Sequence, residues 1–240
     1  MKTVELIPIF DDNYVFLIYD PETSEAIVVD PGEAAAVTQV LNARKLKPIA
    51  ILTTHHHADH IGGAAELSQT FAAPVWAPLK NKEQIKAAHY VSDQDILTIS
   101  GCRIQVLGLP GHTLGHIAYW FSEKNWLFSG DVLFGLGCGR LFEGDFSQGF
   151  ASLQKIRQLP DATEIFCAHE YTEKNLLFCK TLTYEASARL SVYENNLIKL
   201  RSARLPSVPL SLEIEKQFNP FLLAPTQEAF SILRQKRNIF

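Results

Sequence analysis

Short apolar runs alternate with turn-forming residues through the first two thirds of the chain. Runs at 4–9, 14–19, 26–29, 49–52, 75–77, 96–99, 104–109, 117–121, 126–128 and 164–167 have the length and the β-branched or aromatic content of strands. Helical spacing intervenes at 34–42, 64–71 and 146–159. In the last of these Phe150, Leu153 and Ile156 recur on one face, with Asp145 or Ser147 as the N-cap. Strands alternating with helices predict an α/β architecture with helices on the sheet faces. Hairpin-like neighbours, such as 117–121 turning at Ser122-Glu123-Lys124-Asn125 into Trp126, predict mixed rather than all-parallel sheets. After about residue 170 the pattern changes. Segments 172–184, 186–204 and 227–236 read as amphipathic helices, Pro206, Pro209, Pro220 and Pro225 punctuate the last stretch, and no strand pattern recurs. A larger domain over 1–169 and a small helical one over 170–240 are expected.

Composition alters this picture little. A chain of 240 residues, 47% hydrophobic and 20% charged, can bury a core in one large domain or in a larger and a smaller one. A net charge of −4 gives no general attraction for nucleic acid or anionic lipid, so an anionic ligand must be met by a few local cations. The opening Met1-Lys2-Thr3-Val4-Glu5-Leu6 lacks the apolar stretch of a signal peptide, and no window approaches a membrane span. Cys102, Cys138, Cys167 and Cys179 form no C-x-x-C pair and read as reduced, buried thiols, so a cytoplasmic location is expected.

The chemistry gathers where apolar runs end. Run 49–52 leads into Thr53-Thr54-His55-His56-His57-Ala58-Asp59-His60, and 104–109 into Pro110-Gly111-His112. Run 126–128 leads into Ser129-Gly130-Asp131, and 164–167 into Ala168-His169. Ligands of α/β proteins bind outside the carboxyl ends of strands, so these loops are expected to converge. Singly, His112, His169 and Asp131 read as surface or turn residues; their joint occurrence at strand ends singles them out. Imidazole and carboxylate donors suit zinc, iron or manganese. In extended backbone His55 and His57 point one way and His56 the other. His60 is expected near the start of a helix over 60–67, whose positive end favours its neutral ring. Seven donors exceed one tetrahedral site and suit two ions sharing a bridge. The natural division is His55, His57 and His112 on one ion, Asp59, His60 and His169 on the other, and Asp131 between them. His116 is expected to support a ligand from behind, His89 to lie in a polar helical stretch, and Asp30-Pro31-Gly32 to form a turn. No cysteine has a histidine arranged for nucleophilic work, and Cys138 reads as a packing residue.

The spacing His-x-His-x-Asp-His, with Gly111-His112-Thr113, Asp131 and His169, resembles the metallo-β-lactamase superfamily. More narrowly, the chain is similar to the glyoxalase II (hydroxyacylglutathione hydrolase) family. That likeness rests on Pro110-Gly111-His112-Thr113-Leu114-Gly115-His116, Gly137-Cys138-Gly139-Arg140-Leu141-Phe142-Glu143-Gly144 and Cys167-Ala168-His169-Glu170-Tyr171-Thr172. It continues in Phe218-Asn219-Pro220-Phe221 and Arg234-Gln235-Lys236-Arg237. The resemblance implies an αββα sandwich of two mixed sheets with a small helical C-terminal domain. The first domain would be catalytic and the second substrate-binding. It implies two divalent metal ions, zinc foremost, and metal-dependent hydrolysis of the thioester in S-(2-hydroxyacyl)glutathione. S-D-lactoylglutathione, giving glutathione and D-lactate in the second step of methylglyoxal detoxification, is the first choice. Asp59 and Asp131 would tune a water activated between the ions for attack on the thioester carbonyl. The resemblance also implies that Arg140, Tyr171, Arg234 and Arg237 contact glutathione, whose two carboxylates suit guanidinium forks. Phe142 stands where some members carry tyrosine, so one hydroxyl contact would be missing. A monomer with no nucleic-acid or membrane partner is expected. The rival readings are a lactonase or a glutathione-persulfide dioxygenase on the same fold, or a non-catalytic metal-binding module. A mononuclear iron dioxygenase would not need Asp59 and His60, and a structural metal site would close its coordination shell.

Overall fold

In the computed structural model, which describes residues 2–184 and 186–240, the apolar runs form two mixed six-stranded sheets and one short hairpin. The chain divides into two compact units, Met1–Gly108 with Gly115–Lys124, and Leu109–Leu114 with Asn125–Phe240.

The first unit holds one sheet whole, ordered as the chain runs: β1 (Thr3–Ile9), β2 (Asn13–Tyr19), β3 (Glu25–Val29), β4 (Lys47–Leu52), β5 (Val75–Pro78) and β6 (His89–Val91). Strands β1 to β3 are antiparallel. From β3 onward the pairing is parallel. Helices α1 (Ala34–Arg44), α2 (Ala58–Ile61) and α3 (Ala64–Phe71) supply the crossovers from β3 to β4 and from β4 to β5 that parallel pairing requires. Val15, Leu17, Ala26, Val28 and Ile51 share one buried cluster with Val37 and Leu41 of α1 and Leu67 of α3. The alternate residues Phe16, Ile18, Ile27, Val29, Ala50 and Leu52 are buried as well. These inner strands are covered on both faces, which is why they read as unbroken apolar runs. The antiparallel strands β7 (Ile96–Ile99), β8 (Cys102–Gly108) and β9 (Ile117–Phe121) belong to the second sheet.

Strand β6 corrects the expectation of a helical stretch around His89. That residue pairs with Trp76 of β5, and the two rings stack 3.9 Å apart. A short edge strand with two exposed residues carries no apolar run to announce it.

The second unit contributes β10 (Trp126–Gly130), the hairpin β11 (Leu133–Phe134) and β12 (Gly137–Cys138), α4 (Phe146–Arg157), and β13 (Glu164–Cys167). Helix α4 begins at a reciprocal capping box between Asp145 and Gln148, which settles the choice between Asp145 and Ser147. Then follow α5 (Thr172–Cys179), α6 (Leu190–Ser202), β14 (Leu210–Ser211), α7 (Leu212–Phe218), α8 (Pro220–Leu223) and α9 (Gln227–Ile239). Strand β14 pairs with β13, so strands do not cease after residue 170. Two residues are too few to show periodicity. Pro220 opens α8 instead of merely breaking the chain, because the first turn of a helix needs no N–H there, and the Asn219 side chain caps it.

Glu215 of α7 is buried and accepts hydrogen bonds from the Leu136 N–H (2.8 Å), Asn219 Nδ2 (2.9 Å) and the Tyr193 hydroxyl (2.7 Å). Burial pushes its pKa up from 4.5 to about 7, outweighing the three hydrogen bonds that lower it. A carboxyl whose folded pKa lies above its unfolded one favours the fold fully below the unfolded value. That contribution is lost as pH rises through the folded value. The displacement corresponds to roughly 3 kcal/mol. Glu215→Gln should therefore gain on the parent in urea-unfolding free energy between pH 5 and pH 8. A stability difference that stays constant across that range would contradict the assignment.

Candidate metal centre

Strand β4 is an apolar run that ends at Leu52, so the polar residues after it emerge at its carboxyl end. Asp30, just beyond β3 in the left-handed region (φ 51°), fixes them. It accepts the Thr54 N–H and the Thr54 hydroxyl, both at 2.7 Å, and lies 3.0 Å from His60 Nδ1. A carboxylate accepts, so Nδ1 carries the hydrogen and Nε2 of His60 keeps its lone pair. The Thr54 hydroxyl, having donated to Asp30, accepts from His55 Nδ1 at 3.0 Å and leaves Nε2 of His55 for ligation. That Nε2 lies 3.0 Å from His57 Nδ1, the pairing expected of alternate residues in extended backbone. His56 turns to Asn81 instead, at 3.0 Å, and His116 stacks on His55 at 4.7 Å.

Asp59 and His60 lie on α2, with Asp59 Oδ2 3.6 Å from His60 Nε2 and 2.9 Å from the Asn13 amide that donates to it. The helix expected over 60–67 is split at Gly62-Gly63, and His60 falls in the last turn of α2. Asp30, not a helix terminus, sets its tautomer. Gly32 is required here, because a Cβ on it would collide with the Asp59 carbonyl.

In the second unit β10 and β13 run parallel with Gly130 opposite Cys167, so the residues just past their ends emerge together. One oxygen of Asp131 lies 3.3 Å from His169 Nε2 and the other 3.4 Å from His112 Nε2, the disposition a bridging carboxylate needs. His112 Nδ1 donates to the Arg140 carbonyl at 2.8 Å, which leaves Nε2 as the ligating nitrogen. Gly139 permits this approach, since a Cβ there would strike the Asp131 carbonyl.

Among the described residues three groups of donors can each hold a metal ion: His55, His57 and His112; His55, His60 and Asp131; and Asp59, His60 and His169. Within each group the donor atoms lie within 4.8 Å of one another. All seven side chains singled out in the sequence appear in these groups. The donors fit a divalent cation. His55, His60, His112, Asp131 and His169 are at most 6% exposed, and burying imidazoles beside carboxylates is costly unless a cation shares them.

The four residues expected to contact substrate differ in setting. Arg140 is exposed, its guanidinium lies over the Phe142 ring at 5.9 Å, and Nη2 donates to the Asn238 carbonyl at 3.3 Å. Tyr171 stacks on the ring of His169 at 4.7 Å. Arg237 is half-buried, donates from Nε to Asn175 at 3.1 Å, and has its pKa lowered by burial and then by Arg234. Arg234 is only 4% exposed, and its Nη1 donates to the carbonyls of Cys138 (2.6 Å) and Gly139 (3.4 Å). Neither terminal arginine is a solvated helix end. Phe142 is 60% exposed, with its ring edge-on to His112 at 5.3 Å.

All four cysteines are unpaired and buried, and burial raises the pKa of each thiol, that of Cys179 to about 12. Thiols held protonated are poor nucleophiles. A folded variant with every cysteine replaced by serine or alanine should keep its catalytic activity. A covalent cysteine adduct trapped during turnover would contradict this.

Comparison with known proteins agrees with the geometry. A family model described as the metallo-β-lactamase superfamily matches residues 9–169, and one described as the hydroxyacylglutathione hydrolase C-terminus matches residues 170–240. The hydroxyacylglutathione hydrolase of Bdellovibrio bacteriovorus is 54% identical over 98% of this chain and 97% of its own length. Among solved structures, ETHE1 from Myxococcus xanthus is 25% identical and aligns over 97% of this chain and 90% of that one, with a TM-score of 0.73. TTHA1623 in a di-iron-bound form is 28% identical, over 70% of this chain and 91% of that one, with a TM-score of 0.57.

Proposed function

The chain belongs to the hydroxyacylglutathione hydrolases of the metallo-β-lactamase superfamily, and we propose that it cleaves the thioester of S-(2-hydroxyacyl)glutathione, S-D-lactoylglutathione foremost. The products are glutathione and a 2-hydroxy acid, D-lactate in the second step of methylglyoxal detoxification. One observation carries the reading: a single chain has both the seven-donor set and a C-terminal region that matches this family's own.

In this reading residues 1–169 form the catalytic domain and 170–240 the substrate-binding one. Two divalent ions, zinc foremost and iron or manganese chemically acceptable, would be held by His55, His57 and His112 and by Asp59, His60 and His169, with Asp131 available to both. The di-iron-bound form of TTHA1623 supports the count. When bound, such ions polarise a carbonyl and bring the ionisation of water close to neutral pH.

The protein's own groups prepare for that. Asp30, Thr54 and the Arg140 carbonyl hold hydrogen on the Nδ1 atoms of His60, His55 and His112, so Nε2 is the nitrogen that each ring offers for ligation. Asp131 and Asp59 offset cationic charge and tune the water. The leaving group is a thiolate whose conjugate acid has a pKa of about 8.5, so the reaction asks for no general acid. Arg140 and Arg237 meet the carboxylates of glutathione, Tyr171 lines its path beside His169, and Arg234 contributes by holding the Cys138–Gly139 backbone under Arg140. Among the described residues no helix is long and apolar enough to cross a membrane. Four unpaired thiols suit a reducing compartment, and we place the protein in the cytoplasm as a monomer.

Purified protein should release thiol from S-D-lactoylglutathione far faster than it opens a lactone or consumes glutathione persulfide. Faster lactone opening or persulfide oxidation would move the chain to the corresponding rival activity.

A further inference from the structure

Side chains from the C-terminal helices hold the tip of the β11–β12 hairpin. Asn219 Nδ2 donates to the carbonyls of Phe134 and Gly137, each at 3.1 Å, and to Glu215 at 2.9 Å. Glu215 in turn accepts the Leu136 N–H at 2.8 Å. Asn175 donates to the Gly135 carbonyl at 2.9 Å, and the Cys179 thiol to the Leu136 carbonyl at 3.5 Å. Leu136, Asn175, Glu215 and Asn219 are all buried. Leu136 has φ 56°, a conformation leucine adopts only where its surroundings hold it. Five backbone groups at the tip are thus satisfied by side chains and not by water or a longer ladder.

The flanks of this hairpin face the chemistry. The Phe134 ring lies 5.8 Å from that of His169 and 5.0 Å from that of Tyr171. On the other flank, Cys138 and Gly139 lead directly into Arg140, with Arg234 on their carbonyls. We infer that Glu215 and Asn219 are positioning residues for the glutathione part of the substrate: by gripping the hairpin they set Phe134 against Tyr171 and aim Arg140, without touching substrate. The inference rests on the thioester hydrolase reading above. Tip backbone that must find water when its side-chain partners are removed will drift, and the Arg140 side chain, its carbonyl still held by His112 Nδ1, loses its aim at the peptide carboxylates while the reacting carbonyl is untouched.

Asn219→Ser is the informative variant, because serine still caps α8 but cannot reach the three acceptors. In the metal-loaded full chain it should raise KM for S-D-lactoylglutathione about tenfold while kcat stays within about twofold. KM for a simple S-lactoyl thioester lacking the peptide should not move. Glu215→Gln, whose carbonyl oxygen can take the Leu136 and Asn219 hydrogens while its amide donates to Tyr193, should retain most of the affinity. Independently of activity, amide exchange in the metal-free protein should quicken at 133–140 in Asn219→Ser and stay unchanged in β2 to β4. Should that variant not fold, Leu136→Gly loosens the same tip from the hairpin side and should give the same KM shift. Faster exchange at 133–140 with an unchanged KM would overturn the inference, as would an equal KM rise for both thioesters. Thiol release by the parent alongside either result sinks only this inference, whereas a parent releasing no thiol sinks the hydrolase reading on which it rests.

Discussion

Replacing Asp131 with alanine should remove metal from the protein and lower kcat for S-D-lactoylglutathione by about 10²- to 10³-fold or more. The expectation follows from where its oxygens lie, 3.3 Å from His169 and 3.4 Å from His112. Among the described residues Asp131 also joins His55 and His60 in a metal-capable group. Its loss removes a ligand from both proposed ions and a negative charge from a buried cluster of imidazoles, so the shortfall falls on transition-state stabilisation worth several kcal/mol. Asp131→Asn keeps the shape without the charge and should fall between the two. Elemental analysis with steady-state kinetics checks the result. Parental activity with parental metal content in Asp131→Ala would remove the bridge from the account.

The second large effect belongs to the substrate's other end. Arg140→Ala with Arg237→Ala should lower kcat/KM for the glutathione thioester by about 10²-fold or more, mostly through KM, with metal content intact. Hydrogen bonds between charged groups are worth about 1.5–3 kcal/mol each, and the proposed contacts would form in ground state and transition state alike. A simple acyl thioester should be insensitive to the pair. Arg234 is set apart because it is buried, and its contacts are backbone carbonyls. Arg234→Ala should mainly cost stability, leaving polar groups buried without their donor. If the double variant hydrolysed the glutathione thioester as well as the parent does, Arg140 and Arg237 would have no part in recognising the peptide.

The seven candidate donors were legible because each follows an apolar run, and a strand's carboxyl end is where such loops gather. His116, expected behind a ligand, stacks on His55, but the hydrogen-bonding partners of the donors were not legible. Asp30 reads as a turn residue, and only the fold brings it to His60, thirty positions on. Asn13 reaches Asp59 across 46 positions, and Glu215 reaches Leu136 across 79. Hydrogen bonds of such separation leave no trace in local spacing. The burial of Arg234 did leave one: it stands four residues after Phe230, on the same face of α9, and both are buried. Inner strands were found because they are covered on both faces, whereas β6 and β14, short and at sheet edges, had no periodicity to find.

The most direct test titrates a divalent metal into the metal-free protein and follows thiol release from S-D-lactoylglutathione against metal bound per chain. Thiol release should be rapid and saturable, with a rate that climbs until close to two ions are bound. Full activity at one ion or fewer per chain, or no thiol release above the buffer rate at two, would contradict the two-ion hydrolase reading.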